Sequence, residues 1–409
     1  MRTLYSFAIH IYSFLIRIYS LKNKKAKLWI DGRKELFDKI VEFKKDDKRE
    51  VVWVHCASLG EFEQGRVLIE KIKNQKPHYA IVLTFFSPSG YEVRKNYTWA
   101  DLIIYLPQDT PRNVQRFIYY LSPKKAFFVK YEYWYNYIDC LSKNKIPLYI
   151  VSAIFRPNQI FFKFYGKWFA QQLAKIEHFF VQDESSAKLL ESINLKNYTI
   201  TGDTRFDRVA QICSAPKRIP QFENLDKNKT IIIGSSWQKD EEVFAKLLDE
   251  YSNLKLIVVP HEIDHERIAS VESIFEKQKS IKLSKTDESS NLSEFNVIIV
   301  DSIGLLSSIY QYGFFAHIGG GFGKGIHNIL EAACYGMPII FGPNYEKFEE
   351  AKSLIKLGGA YCVKNHVDLK NIFEKKLNNE IEIRQASEIS KKFVENNIGA
   401  SDKIFDSIF

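Results

Sequence analysis

Two short stretches hold residue types that could do chemistry. The first, HCASLGEFEQG (His55 to Gly65), puts two carboxylates, Glu61 and Glu63, just behind Gly60. It follows the β-branched, apolar run REVVWV and precedes RVLIEKIKN, which has helical spacing. The pattern predicts a strand ending near Ser58, a turn at Gly60, and Glu61 in the first turn of a helix. A carboxylate at such a turn can point into a cleft, where proton transfer is its natural chemistry. The helix N-terminus would lower its pKa and weaken it as a base, and partial burial would offset that. The plainer reading is a first-turn glutamate favoured by the helix dipole. Glu63, two residues on, faces elsewhere.

The second stretch is HIGGGFGKGIHNILEAACYGMPIIFGP (His317 to Pro343). A strand is expected to end at Ile318, followed by Gly319, Gly320, Gly321, Gly323 and Gly325, with a helix from about His327 or Asn328. Glycines let backbone N–H groups approach an anion, and a helix N-terminus adds partial positive charge. Lys324 would add a full charge. The pattern therefore points to a phosphate or another anion, against the simpler reading of a flexible loop. Asn328 and Glu331 are three apart and share a helix face. Glu331 would suit a ribose diol, or would simply be a helix-start glutamate. Ser235 and Ser236, after TIIIG, are further donors to a nucleotide or sugar, or else a helix N-cap. The dinucleotide fingerprint belongs at a first βα turn, and a Walker A motif needs Ser or Thr after its lysine. Here the lysine is followed by Gly325, so the NAD and P-loop readings fall.

The elements that must position these loops have one rhythm repeated twice. EVVWVHCA, YAIVLTFF, LIIYLP, KAFFVK, IPLYIVSA, HFFVQD and YTITG read as strands with helical patterns between most of them. After CSAPKRIPQFENLDKNK the rhythm restarts with TIIIGSS, LKLIVVP, FNVIIVD, FFAHIGGG and MPIIFGP. Such alternation implies parallel sheets made of βαβ units. The expected α/β architecture is two Rossmann-like domains facing a cleft: residues 31–212, a linker at 213–229, and 230–409 with C-terminal helices. Ligands of open α/β sheets sit beyond the carboxyl ends of the strands, where both stretches fall.

The chain has 409 residues, 58 Lys and Arg against 49 Asp and Glu, and 45% hydrophobic residues. That is a folded protein of two or three domains whose net charge of +9 suits an anionic partner. Five scattered cysteines with no paired spacing argue against structural zinc and a disulfide framework. Residues 1–30 are distinct. Leu4 to Leu21 is apolar and aromatic but contains His10 and Arg17, and KNKKAK follows. It reads either as a buried first helix or as a membrane-associating one, lying on or shallowly anchored in an anionic lipid surface. The aromatics beside a lysine cluster favour the second. No basic stripe with aromatic platforms marks a nucleic-acid binder.

Taken in order, Ser58-Leu59-Gly60-Glu61, YLPQDTPRNVQRF, FVKYEYWYN, TGDTRFD and GGGFGKGIHNILEAACYGMPIIFGP resemble the 3-deoxy-D-manno-octulosonic acid (Kdo) transferases over nearly the whole chain. The resemblance implies a GT-B glycosyltransferase of lipopolysaccharide assembly at the cytoplasmic face of the inner membrane. It would transfer Kdo from CMP-Kdo, a substrate, to a lipid A precursor, inverting and without a metal or cofactor. Glu61 matches the family's proposed base, and Asn328 and Glu331 its nucleotide contacts. The donor set is completed by Ser235, Ser236, His261, Gly320, Gly321, Gly323, Lys324 and Gly325. Ser58, Gly60, Lys130, Glu132 and Arg205 fall at the acceptor or cleft. Lys130 stands where relatives usually carry an acid, His261 where they often carry arginine, and Asp203 and Arg205 where Asn and Lys are common. The alternatives are a GT-B enzyme or epimerase using a UDP-sugar, and a non-catalytic nucleotide-sugar or lipid binder.

Overall fold

The computed structural model describes residues 1–377 and 379–409. The chain divides into two compact units, Met1–Arg208 with Gly399–Phe409, and Val209–Ile398.

In the first unit β1 (Glu50–Cys56), β2 (Tyr79–Phe85), β3 (Leu102–Tyr105), β4 (Pro123–Val129), β5 (Leu148–Ala153), β6 (His178–Val181) and β7 (Tyr198–Ile200) form one sheet. Its order is β3-β2-β1-β4-β5-β6-β7, and every pairing is parallel. All seven strands fall on the expected runs. They read as continuous apolar runs because both sheet faces are covered. Val51 and Trp53 enter one core with Phe117, Phe128 and Tyr137. Val52 and Val54 enter the other with Phe62, Phe127 and Phe180.

In the second unit β8 (Thr230–Ser236), β9 (Lys255–Pro260), β10 (Ser280–Lys282), β11 (Val297–Ile299), β12 (Phe315–Ile318), β13 (Ile339–Phe341) and β14 (Ala360–Cys362) form a second parallel sheet. Its order is β10-β11-β9-β8-β12-β13-β14. Strands β10 and β14 were not expected. Both are three-residue edge strands, too short to show a period.

Three expected boundaries are corrected. The division falls inside the helix Thr204–Ser214, not at a linker over 213–229. Ile219 and Phe222 of that stretch are buried, and Tyr312 Oη accepts from the Ile219 amide at 2.8 Å; its apolar residues pack rather than span. The last helix, Ala400–Ile408, belongs to the first unit, not the second. Ile404 and Phe405 enter the first unit's core, and Asp207 accepts from the Gly399 and Ser401 amides at 2.5 and 2.6 Å. Finally, residues 1–30 are no separate segment. Along the helix Arg2–Tyr19 the Tyr5 hydroxyl donates to buried Asp109 at 2.6 Å, Arg2 pairs with Asp139 at 2.6 Å, and Tyr12 packs on Trp29 and Phe86. Its other face leaves Leu4, Phe7, Ile11, Phe14, Leu15 and Ile18 exposed. Among the described residues no helix is long and apolar enough to cross a membrane.

Candidate functional site

The strand order reverses between β1 and β4 in the first unit and, at the centre of the second sheet, between β8 and β12. Such switch points open the crevice where doubly wound sheets bind ligands. The sequence-selected loops leave from these strands.

In the first unit Ser58 stands at the N-cap position of the helix Leu59–Gln75, and Glu61 lies in its first turn, as expected. The Ser58 hydroxyl donates to Glu61 Oε2, while no backbone amide is capped by the Ser58 side chain. The spacing is that of a capping box, but here it orients a carboxylate. Glu63 has the other fate. It is held by Arg94 at 2.7 Å and Arg208 at 2.8 Å. Of the two carboxylates, then, one is a structural anchor and the other stands at the switch point.

Across the crevice, after β4, Glu132 accepts from Trp134 Nε1 at 2.8 Å and lies 3.4 Å from His55 Nε2. His55 is fully buried, with Nδ1 2.9 Å from Thr84 Oγ1. Burial, with Glu61 and Glu132 nearby, pushes the Cys56 thiol well above its ordinary value. Both carboxylates thus converge on the end of β1. Lys130 adopts a left-handed backbone, φ 73°, which costs a non-glycine residue about 1–2 kcal/mol. Such strain collects at ligand sites. Its ammonium lies over the Tyr131 ring, 5.1 Å away. Gly60 is exposed. Arg205 is paired with Asp203 at 2.7 Å. His55 and Trp134 were missed as site residues, although both lie inside quoted stretches.

In the second unit the helix begins later than expected. It spans only Leu330–Cys334, because the Asn328 side chain accepts from the Leu330 amide at 3.1 Å and ends the loop there. The Asn328 amide also donates to Glu331 at 3.1 Å, so the two expected partners do meet. The loop glycines serve the fold as much as a ligand. A Cβ on Gly319 would lie 2.2 Å from the Ser235 carbonyl oxygen, and Gly320 has φ +89°. The amides of Gly319, Gly320, Gly323 and Gly325 are bonded to the Gly234 carbonyl, to Asp240, and in two cases to the Gly320 carbonyl. Of the expected donor glycines, Gly320, Gly323 and Gly325 thus have their amides committed within the fold. Lys324 and Asn328 side chains remain at the surface of the loop.

The residue that holds this loop is Asp240. It is fully buried. It accepts from Gly320 N at 3.1 Å and Trp237 N at 2.9 Å, and lies 2.7 Å from His317 Nε2. Burial raises its carboxyl, but these donors outweigh burial and hold it below its ordinary value. No sequence signal marked Asp240 or His317. Ser236 is buried and donates to Glu241 at 2.6 Å, so its proton is directed inward rather than at a donor. Ser235 has φ 52°, a second left-handed residue at a switch point. Above it Trp237, His261 and His327 stack at centroid distances of 5.0 and 4.2 Å. His261 is exposed, while burial, and then His261, lower the His327 pKa.

Two units, each built on a parallel seven-stranded sheet, define the GT-B architecture. Solved structures agree on the fold. UDP-GlcNAc 2-epimerase from Neisseria meningitidis, bound to UDP-GlcNAc, matches at a TM-score of 0.62 with 14% identity, covering 88% of this chain and 99% of that one. Acinetobacter baumannii MurG matches at 0.53 with 12% identity, covering 88% and 99%. Residues 33–208 match the family described as 3-deoxy-D-manno-octulosonic-acid transferase (kdotransferase). The 3-deoxy-D-manno-octulosonic acid transferase of Aquifex aeolicus is 31% identical over 78% of this chain and 83% of its own length. That of Haemophilus influenzae is 29% identical over 87% and 86%. The chain belongs to the Kdo transferase family and is a glycosyltransferase.

Proposed function

We propose that this protein transfers Kdo from CMP-Kdo to a lipid A precursor, with inversion and without a metal or cofactor. The observation that carries the reading is Glu61, oriented by Ser58 at the first unit's switch point in a chain of this family. The acceptor hydroxyl attacks the anomeric carbon, its proton passes to Glu61, and the bond from that carbon to the CMP phosphate breaks. Negative charge then gathers on the leaving phosphate. Stabilising that charge outweighs any acid, and Lys324, Asn328 and His261 offer exposed donors on the second unit's loops. Glu331, held by Asn328, takes the ribose. Glu132 and Lys130 line the acceptor side. The exposed apolar face of the N-terminal helix and the lysines that follow it support a reaction at the cytoplasmic face of the inner membrane, where a lipid acceptor would lie.

Calorimetric titration with CMP and with UDP tests the donor. CMP binding at least about tenfold tighter, a difference of about 1.4 kcal/mol, is the expected result. A preference for UDP would move the protein to the UDP-sugar enzymes of the same fold.

A further inference from the structure

The charge excess of the chain is not spread over its surface. Of 58 Lys and Arg and 49 Asp and Glu in all, residues 1–30 and 154–175 together hold ten of the cations and none of the acids. The rest of the chain, at 48 against 49, is balanced. The two segments meet in the fold. Tyr5 of the N-terminal helix lies 6.4 Å from Trp168, and Tyr135 packs on both rings.

The second segment also presents a tip. Phe164 is 96% exposed and Tyr165 60%, on a 3₁₀ turn, Phe164–Gly166, flanked by Lys163 and Lys167. The turn is built rather than loose. A Cβ on Gly166 would lie 1.7 Å from the Ile160 carbonyl oxygen, so only glycine closes it. Phe161, three residues before Phe164, is buried against Phe155 and Tyr133 and anchors the turn from below. A fixed, exposed aromatic pair between lysines has the composition of an interfacial anchor. The rings sit at the headgroup–acyl boundary and the ammonium groups reach anionic headgroups.

We propose that Phe164 and Tyr165 form a second membrane contact beside the N-terminal helix, and that its partner is an anionic phospholipid surface. This rests on the membrane-surface reading above and adds a point of attachment to it. Two points restrain the first unit's rotation on the bilayer, as one helix lying on the surface does not.

The full chain is tested on phosphatidylethanolamine–phosphatidylglycerol vesicles and on phosphatidylcholine vesicles, as wild type, as Phe164→Glu/Tyr165→Glu, and as Phe7→Glu/Phe14→Glu. CMP binding serves as the fold control, since the tip lies outside the donor loops. Partition of the tip variant onto the anionic vesicles should fall about tenfold or more, the scale set by removing one buried aromatic, with CMP binding intact. Wild-type binding should weaken with salt and on the neutral vesicles. Unchanged partition of the tip variant, with loss only in the helix variant, would overturn the second contact and leave the surface reading standing. Failure of the wild type to bind either vesicle would overturn both. Wild-type self-association in solution that the tip variant abolishes would show a protein contact instead, and would also overturn the proposal.

Discussion

At the residue scale, two carboxylates that look alike in the sequence are separated by their partners. Glu61 is turned by one serine hydroxyl, whereas Glu63 is fixed between two arginines. The separation by helical position was legible; the arginines were not, because Arg94 and Arg208 are distant in the chain. Asp240 was illegible for the same reason. Its meaning comes from His317 and Gly320, about eighty residues away. Asp240→Asn should loosen the glycine loop. The new amide's oxygen can still serve the Trp237 and Gly320 amides, but its N–H₂ then faces His317 Nε2 where a carboxylate oxygen stood, a cost of about 1–3 kcal/mol for an unsatisfied group. CMP affinity should fall about tenfold, while Asp240→Glu should recover part of it. Equal CMP affinity in Asp240→Asn and wild type would show that the loop does not depend on this clamp.

At the element scale, long strands were legible and short ones were not. β1 and β8, seven residues each with apolar runs, announce themselves, whereas β10 and β14 exist only through their neighbours. The glycine loop misled in one respect. Its composition fits an anion cradle, yet four of its amides are spent inside the loop and on its supports. The N-terminal helix shows how docking was hidden: Tyr5 reads as one more aromatic, but it donates to Asp109. Burial pushes that carboxyl up to about 6 from an ordinary 3.8, despite donors from Tyr5 and from the Asn136 and Tyr137 amides. Between those values the folded state keeps a proton that the unfolded chain has released. Stability therefore falls as pH rises from about 4 to about 6 and levels off above, by about 3 kcal/mol in all. Asp109→Asn lacks this slope. Relative to wild type its denaturation midpoint should improve across that window and run parallel above about pH 7. Parallel curves throughout would show that Asp109 is not perturbed.

At the scale of the whole molecule, the sequence shows two parallel sheets and where each loop leaves them, because strand runs alternate with helical patterns. It does not show which unit owns the last helix. Ile404 and Phe405 make an apolar stripe that fits either core, and only the structure places it against the first. Both switch points hold the sequence-selected loops, as the proposed two-substrate reaction requires, with acceptor chemistry at Glu61 and charge stabilisation beside Gly320. The charge asymmetry belongs to this scale too, since the +9 excess is a property of one region rather than of the surface at large. The most direct test of the account is product mass after incubating the full chain with CMP-Kdo and a tetra-acylated lipid A precursor, beside Glu61→Gln. Lipid gaining one or more Kdo increments with the wild type, and turnover lower by about 10²–10⁴ in the variant with CMP affinity unchanged, is the predicted result. Equal product from both would remove Glu61 as the base, and no Kdo-lipid from folded, CMP-binding wild type would contradict the proposed reaction.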